Sequence, residues 1–141
     1  MSFETTVQID APVEVVWRLT MDVTAWPNMT PTITRVVRLD EGPLRIGSRA
    51  RIKQPGQTAA VWTVTRLEQG RVFAWQTKRG WLTMTGAHLL EPVDGGCRNT
   101  LTLDITGVGA GLFARAFGRQ MLSAIETENA GFKRTAEDLN V

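Results

Sequence analysis

Residues 112–139, LFARAFGRQMLSAIETENAGFKRTAEDL, read as one long helix. Phe113, Phe117, Met121, Ala124, Ile125, Phe132, Ala136 and Leu139 recur close to the 3.6-residue period of a helix that buries one stripe. At 1.5 Å per residue the stretch spans roughly 40 Å, enough to cross a whole sheet. It follows a run of short alternating strands, so its apolar stripe has one obvious burial place, the concave face of a curved antiparallel sheet. A helix laid across such a face tends to enclose a pocket. Gly118 and Gly131 lie inside the stretch at a cost in helix propensity, and serve either a close backbone approach or a bend.

Upstream of the helix the period changes to two. Leu101, Leu103 and Ile105 alternate with Thr100, Thr102, Asp104 and Thr106, which predicts a strand over 98–106 with the aliphatic set facing inward and Asp104 in solvent. Gly107, Gly109 and Gly111 then make a flexible corner; with no Lys-Ser/Thr after them and no parallel strand before them, they do not read as a phosphate loop. Further strands are predicted over 33–39, 48–54, 59–67, 71–77 and 81–91. The short Gly- and Pro-containing turns between them imply antiparallel hairpins. A first strand covers 2–9. Asp10 is placed to cap a helix that opens on Ala11 and Pro12 and buries Val13, Val16 and Trp17, with Glu14 and Arg18 spaced i, i+4 on its wet side, where they can pair. Asp22 to Trp26 adds a further turn, which Pro27 and Pro31 keep short.

The 141 residues, 43% apolar and 21% charged, are those of one globular domain over 1–141 that needs no disulfide or structural metal. No apolar run is long enough to span a membrane, and MSFETTVQID alternates like a strand instead of opening like a signal peptide, so a cytoplasmic location is expected. Cys97, the only cysteine, allows no internal disulfide; it lies after Gly95-Gly96 with nothing nearby in sequence to activate it. The net charge is only +2. Arg49, Arg51 and Lys53 share one strand face, read first as a solvated outer face and second as a site for an anionic polymer or membrane surface. No nucleic-acid partner is expected. One histidine and one cysteine in distant segments match no metal-ligand spacing, so neither metal nor cofactor is expected.

The order of strand, two short helices, six strands and long helix resembles the helix-grip fold of the START-related, birch-pollen-allergen-like superfamily. The resemblance is closest to the bacterial polyketide cyclase/dehydrase branch, often labelled SRPBCC. The segments that carry it are IDAPVEVVW (9–17), DVTAWPNMTPTITRV (22–36), GPLRIGSRARIKQP (42–55), WTVTRLEQGRVFAW (62–75) and HLLEPVDGGCRNTLTLDITG (88–107). They cover essentially the whole chain, and their order and spacing matter more than any one of them. The resemblance implies an α+β fold, a curved seven-stranded antiparallel sheet wrapped around the C-terminal helix. It also implies a deep apolar cavity used across the superfamily for lipids, sterols, polyketides and other hydrophobic molecules. It fixes neither ligand nor reaction.

Within that frame the expected wall comprises Trp62, Trp75, Trp81, Met84, His88, Leu101 and Leu103 from the sheet, with Phe117, Met121 and Ile125 from the helix. Trp26, beside Pro27 and Met29, is expected at a mobile entrance. His88 shares strand parity with Leu82, Met84, Gly86 and Leu90, and is either a ligand-orienting or acid/base group or a hydrogen-bonded core residue. Glu128 is either a pocket acid or, if the helix is rotated slightly, a solvated carboxylate, and the second is expected. The leading expectation is a monomeric or homodimeric binding protein for an apolar or aromatic small molecule. The alternative is a cyclase or aromatase in which His88 moves a proton, although no Ser-His-Asp set or paired carboxylates accompany it.

Overall fold

The computed structural model describes residues 1–140. One seven-stranded sheet runs in the order β1-β7-β6-β5-β4-β3-β2. Its strands are β1 (Ser2–Ile9), β2 (Arg35–Arg38), β3 (Arg49–Lys53), β4 (Ala60–Glu68), β5 (Val72–Arg79), β6 (Leu82–Val93) and β7 (Gly96–Gly107). Helix α1 (Val13–Met21) and a 3-10 turn (Val23–Asn28) link β1 to β2, and α2 (Ala110–Leu139) follows β7. The architecture is α+β, an antiparallel sheet crossed by a long helix as the alternation and turn pattern predict, in the helix-grip arrangement that the resemblance implies.

From β2 to β7 each strand pairs antiparallel with the next in sequence, as the short turns require. One pairing is long-range: β1 lies along β7 from Ser2–Asp104 to Ile9–Cys97. A bulge between Val64 and Arg66 breaks the β4–β5 register, the kind of irregularity that bends a strand and deepens sheet curvature. At the glycine corner, Gly107 and Gly109 have left-handed φ of 110° and 86°. A Cβ on Gly107 would lie 2.0 Å from the Trp81 carbonyl oxygen, so the corner passes directly against the β5–β6 turn. Gly111 is already helical, because α2 starts two residues before the predicted boundary.

The helix is fastened to the sheet by contacts that its apolar pattern does not announce. Asn129 is fully buried: its Nδ2 donates to the carbonyls of Thr5 on β1 and Asn99 on β7, both at 3.1 Å, and its Oδ1 accepts from Asn99 Nδ2 at 2.8 Å. Two turns of other anchors flank this pair. A Cβ built on Gly131 would stand 2.2 Å from the carbonyl oxygen of Met29, which also accepts from Arg134 Nη2 at 3.1 Å. Lys133 Nζ reaches the Gln8 carbonyl at 2.8 Å. Phe132 and Ala136 complete the contact in the core.

Two local expectations fail. Asp10 does not cap α1; Pro12, extended at φ −61° and ψ 152°, is the N-cap residue, so the helix begins too late for Asp10 to reach its free N–H groups. Asp10 instead receives the far end of α2: its N–H donates to Glu137 Oε2 at 2.9 Å, and its carbonyl accepts from Asn140 Nδ2 at 3.1 Å. Leu139 does not belong to the buried stripe and is 60% exposed. The stripe has run past the edge of the sheet by that point, and polar contacts with Asp10 take over.

The two glycines of α2 separate two effects in one experiment. Gly131→Ala, which would drive a methyl into backbone, is expected to cost about 2–4 kcal/mol. Gly118→Ala faces only the Phe3 ring at 3.2 Å, a side chain that can shift, and the helix-propensity gain of about 1 kcal/mol should offset most of that strain. Urea denaturation of both variants checks the contrast.

Candidate functional site

Inward-facing residues of adjacent strands line up in rows across the sheet. Leu101, His88 and Phe73 form one row, and Leu103, Gly86, Trp75 and Val64 the next. Gly86 leaves room for two indoles: a Cβ there would be 3.7 Å from Trp75 and 3.8 Å from Trp62. Between this face and α2 lies a cavity of about 550 Å³, within the range that encloses a drug-sized ligand. Its floor is aromatic, and its mouth is framed by the β3–β4 turn, Arg79, and Phe113, Phe117 and Gln120 of α2.

Most of the expected wall residues meet here. Trp62, Trp75, Met84, His88, Leu101 and Leu103 line it from the sheet, and Phe117, Met121 and Ile125 from the helix. Phe117 is 46% exposed and stacks on Phe113 at 4.9 Å, so it belongs to the rim. Trp81 is not part of the wall. It sits in the β5–β6 turn, one residue before the strand it was expected to open, and is 82% exposed. Trp26 also lies elsewhere than expected: it is no mobile entrance but the centre of the floor, buried against Phe73, Trp75 and Phe132 with ring centroids 5.2–6.1 Å apart. The 3-10 turn carries its ring inward, and its Nε1 donates to the Leu19 carbonyl at 3.1 Å.

His88 lies in the same aromatic cage, its ring 5.0 Å from Trp26, 5.3 Å from Phe132 and 5.8 Å from Phe73. Its Nδ1 is sealed from solvent without a hydrogen-bond partner, and desolvation lowers its pKa to about 3. The ring is therefore neutral at pH 7, and too weak a base to take a proton readily there. Glu128 behaves in the opposite sense. The helix is rotated far enough to turn it to the cavity, where desolvation raises its pKa to about 7 against the opposing effect of a 3.0 Å hydrogen bond from Thr32 Oγ1. Thr32 Oγ1 is in turn 2.8 Å from that of buried Thr30. The expectation of a solvated Glu128 is thus overturned, and the cavity holds a carboxyl poised between its acid and its anion at neutral pH.

The remaining polar groups were missed in the sequence. Arg79, whose Nη1 and Nη2 donate to the hydroxyl and carbonyl of Thr58 at 3.0 and 2.5 Å, shares strand parity with Phe73, Trp75 and Thr77, a signal that could have found it. Gln120 stands one turn from Phe117. Thr32 sits in an irregular segment, and no sequence pattern pointed to it. Elsewhere, Cys97 is buried with its pKa raised by desolvation, as befits an unreactive thiol. Asp104 accepts from Ser2 Oγ at 2.7 Å in a half-exposed setting. Arg49 and Arg51 are exposed, whereas the Lys53 amine folds back on the carbonyls of Gln54 and Gln57. Among the described residues there is no His/Cys/Asp/Glu cluster able to hold a metal, and no helix is long and apolar enough to cross a membrane.

The raised pKa of Glu128 and the lowered pKa of His88 oppose each other in stability. The folded chain holds the Glu128 proton between pH 4.5 and about 7 while the unfolded chain releases it, so this group lowers stability as pH rises through that window. The unfolded chain protonates His88 below 6.5 while the folded chain resists down to about 3, so this group raises stability with pH over that range. Where the windows overlap the slopes offset. Glu128→Gln should therefore expose the histidine slope between pH 4.5 and 6.5 and gain roughly 1–3 kcal/mol relative to the parent at pH 8. Denaturation midpoints of both proteins across pH provide the check.

Comparison with known proteins agrees with this fold. No curated protein matches the chain. Among solved structures, a hypothetical protein from Helicobacter pylori superposes with a TM-score of 0.79 at 18% identity, covering 96% of this chain and 86% of that one. A START superfamily protein from Mycobacterium smegmatis gives 0.76 at 16% identity over 98% of both chains. The di-domain ARO/CYC of the steffimycin biosynthetic pathway gives 0.78 at 19% identity, covering 98% of this chain and 51% of that one. At these identities the likeness is one of fold. The sequence itself matches the family model described as polyketide cyclase / dehydrase and lipid transport over residues 1–137, and the chain belongs to that family.

Proposed function

We propose that this protein binds an apolar or aromatic small molecule in the cavity under α2. The observation that carries this reading is the cavity itself: about 550 Å³, with tryptophan, leucine, methionine, phenylalanine and isoleucine side chains over much of its lining and a smaller polar set, Gln54, Gln57, Thr58, Arg79, Gln120 and Glu128 among them. Affinity would come from burying ligand surface at about 25 cal/mol per Å², and orientation from the polar exceptions. Glu128 is the principal one. Protonated, it can donate to a ligand carbonyl; ionised, it can accept from a phenol or enol, with Thr32 holding the other side of the carboxyl.

A second reading is enzymatic, a polyketide cyclase- or aromatase-type reaction, favoured by the ARO/CYC domains among the similar folds. A proton-transfer role fits Glu128 better than His88, because a general acid/base works best with a pKa near the operating pH. On this reading the aromatic floor would hold the substrate in a reactive fold and His88 would serve as neutral wall.

Native mass spectrometry of the freshly purified protein, followed by solvent extraction, tests the primary reading. A stoichiometric apolar adduct is expected in the parent protein. Ala124→Phe, which fills the cavity from the helix, should lose it while keeping the parent circular dichroism. An adduct retained unchanged by that variant would place the ligand elsewhere. If turnover of a polyketide-like substrate is found, Glu128→Gln should lower kcat at least tenfold and His88→Phe much less.

A further inference from the structure

The end of the molecule around the cavity mouth carries an apolar surface with nothing to cover it. Trp81 is 82% exposed, Val108 80% and Leu112 74%, with Phe117 at 46% linking them to the cavity rim. They come from separate segments and meet because Leu82 pairs with Gly107 and the glycine corner passes against the Trp81 carbonyl. Trp26 and Trp75, by contrast, are buried in the core. A large exposed indole next to exposed aliphatic side chains is the signature of a surface that meets another phase.

The charges identify the phase. The segments forming this end, residues 53–60, 78–82 and 107–120, contain Lys53, Lys78, Arg79, Arg115 and Arg119 and no carboxylate. The opposite half of α2 carries Glu126, Glu128, Glu137 and Asp138 against Lys133 and Arg134. Leu112, Arg115 and Arg119 are all exposed on the first turns of α2, so apolar and cationic groups share one outward surface. Tryptophan and leucine ringed by cations is the composition of groups that seat at the headgroup level of an anionic bilayer, with the apolar side chains in the acyl boundary and the cations among the phosphates. An exposed indole also suits protein interfaces, but five cations with no carboxylate among them match the phosphates of an anionic leaflet, and self-association would bring like charges together.

We propose that this end is a membrane-docking surface: Trp81, Val108 and Leu112 insert into an anionic phospholipid leaflet, with Lys78, Arg115 and Arg119 on its phosphates. The docked orientation turns the cavity mouth toward the lipid, giving an apolar ligand a path that avoids water. The surface is separate from the Arg49 and Arg51 face of β3, and its function does not depend on whether the cavity binds or transforms its ligand.

Vesicle co-sedimentation provides the test. Phosphatidylcholine vesicles with roughly 30% phosphatidylglycerol should bind the protein, and phosphatidylcholine alone should bind it at least about tenfold more weakly. Trp81→Ser combined with Leu112→Ser should weaken anionic binding by about tenfold or more, and Arg115→Gln with Arg119→Gln should flatten its decline between about 0.1 and 0.5 M salt. All of these side chains are on the surface, so the variants should keep the parent melting temperature and, where the native adduct is found, the adduct. Failure to sediment with anionic vesicles overturns the proposal. So does binding that the serine variant leaves intact, which would be charge attraction alone. A dimer in sedimentation equilibrium that the serine variant dissolves would assign the patch to a second copy instead and overturn it equally.

Discussion

Everything distinctive about this molecule depends on how α2 is held against the sheet, and one buried amide decides it. Asn129 satisfies carbonyls on β1 and β7 at once while pairing with the Asn99 side chain. The strands it joins are paired with each other but lie at opposite ends of the chain, so a single side chain ties first strand, last strand and helix together. A buried amide that lost these partners would be left with unsatisfied polar groups, at a cost of about 1–3 kcal/mol each. The register of the helix is therefore specified by hydrogen bonding, where apolar packing alone would tolerate sliding by a turn. Gly131 adds a steric condition, since only a residue without a Cβ lets the helix approach the Met29 carbonyl.

This arrangement anchors the second half of α2, while the first half rests on one side against β1, with Gly118 on the Phe3 ring, and on the other side faces the cavity. From Gly131 to Ala136 the helix is in direct contact with the core. From Phe113 to Glu128 it roofs the cavity, and the residues it presents there are Phe, Met, Ala and Ile with the Gln120 amide and the Glu128 carboxyl. The cavity is thus the space left between a long rigid helix and the curved face it crosses. Its floor is filled by Trp26, Phe73, Trp75, His88 and Phe132 packed ring to ring, which sets its depth and strips water from the buried groups. The two opposed pKa shifts, of a base made weaker and an acid made weaker, follow from that one dry environment.

The elements and their order were legible before any coordinates because strand alternation, turn residues and helical periodicity are local signals. The inward set of β7, the parity of His88 and the presence of a helix-roofed pocket all followed from them. Side chains whose fate depends on a distant segment were not legible. Trp26 lies in a short irregular turn, where exposure cannot be read from periodicity, and it became the centre of the core. Trp81 is apolar and next to a strand, yet it falls in the turn and faces outward. Glu128 sits at the margin of the stripe, where a few tens of degrees of helix rotation separate solvent from cavity.

By itself, then, the sequence determined the α+β class, the antiparallel pairing of the consecutive strands β2 to β7 and the presence of a helix long enough to cross the sheet, since each is written in the spacing of neighbouring residues. Only the tertiary structure decided which tryptophans make the floor, that Glu128 and not His88 is poised near neutral pH, and that the apolar turn residues gather with cations at the cavity mouth. The reason is physical: burial and desolvation are properties of the space between elements, and that space depends on how Asn129 and Gly131 seat the helix on β1 and on the Met29 carbonyl, each more than a hundred residues away.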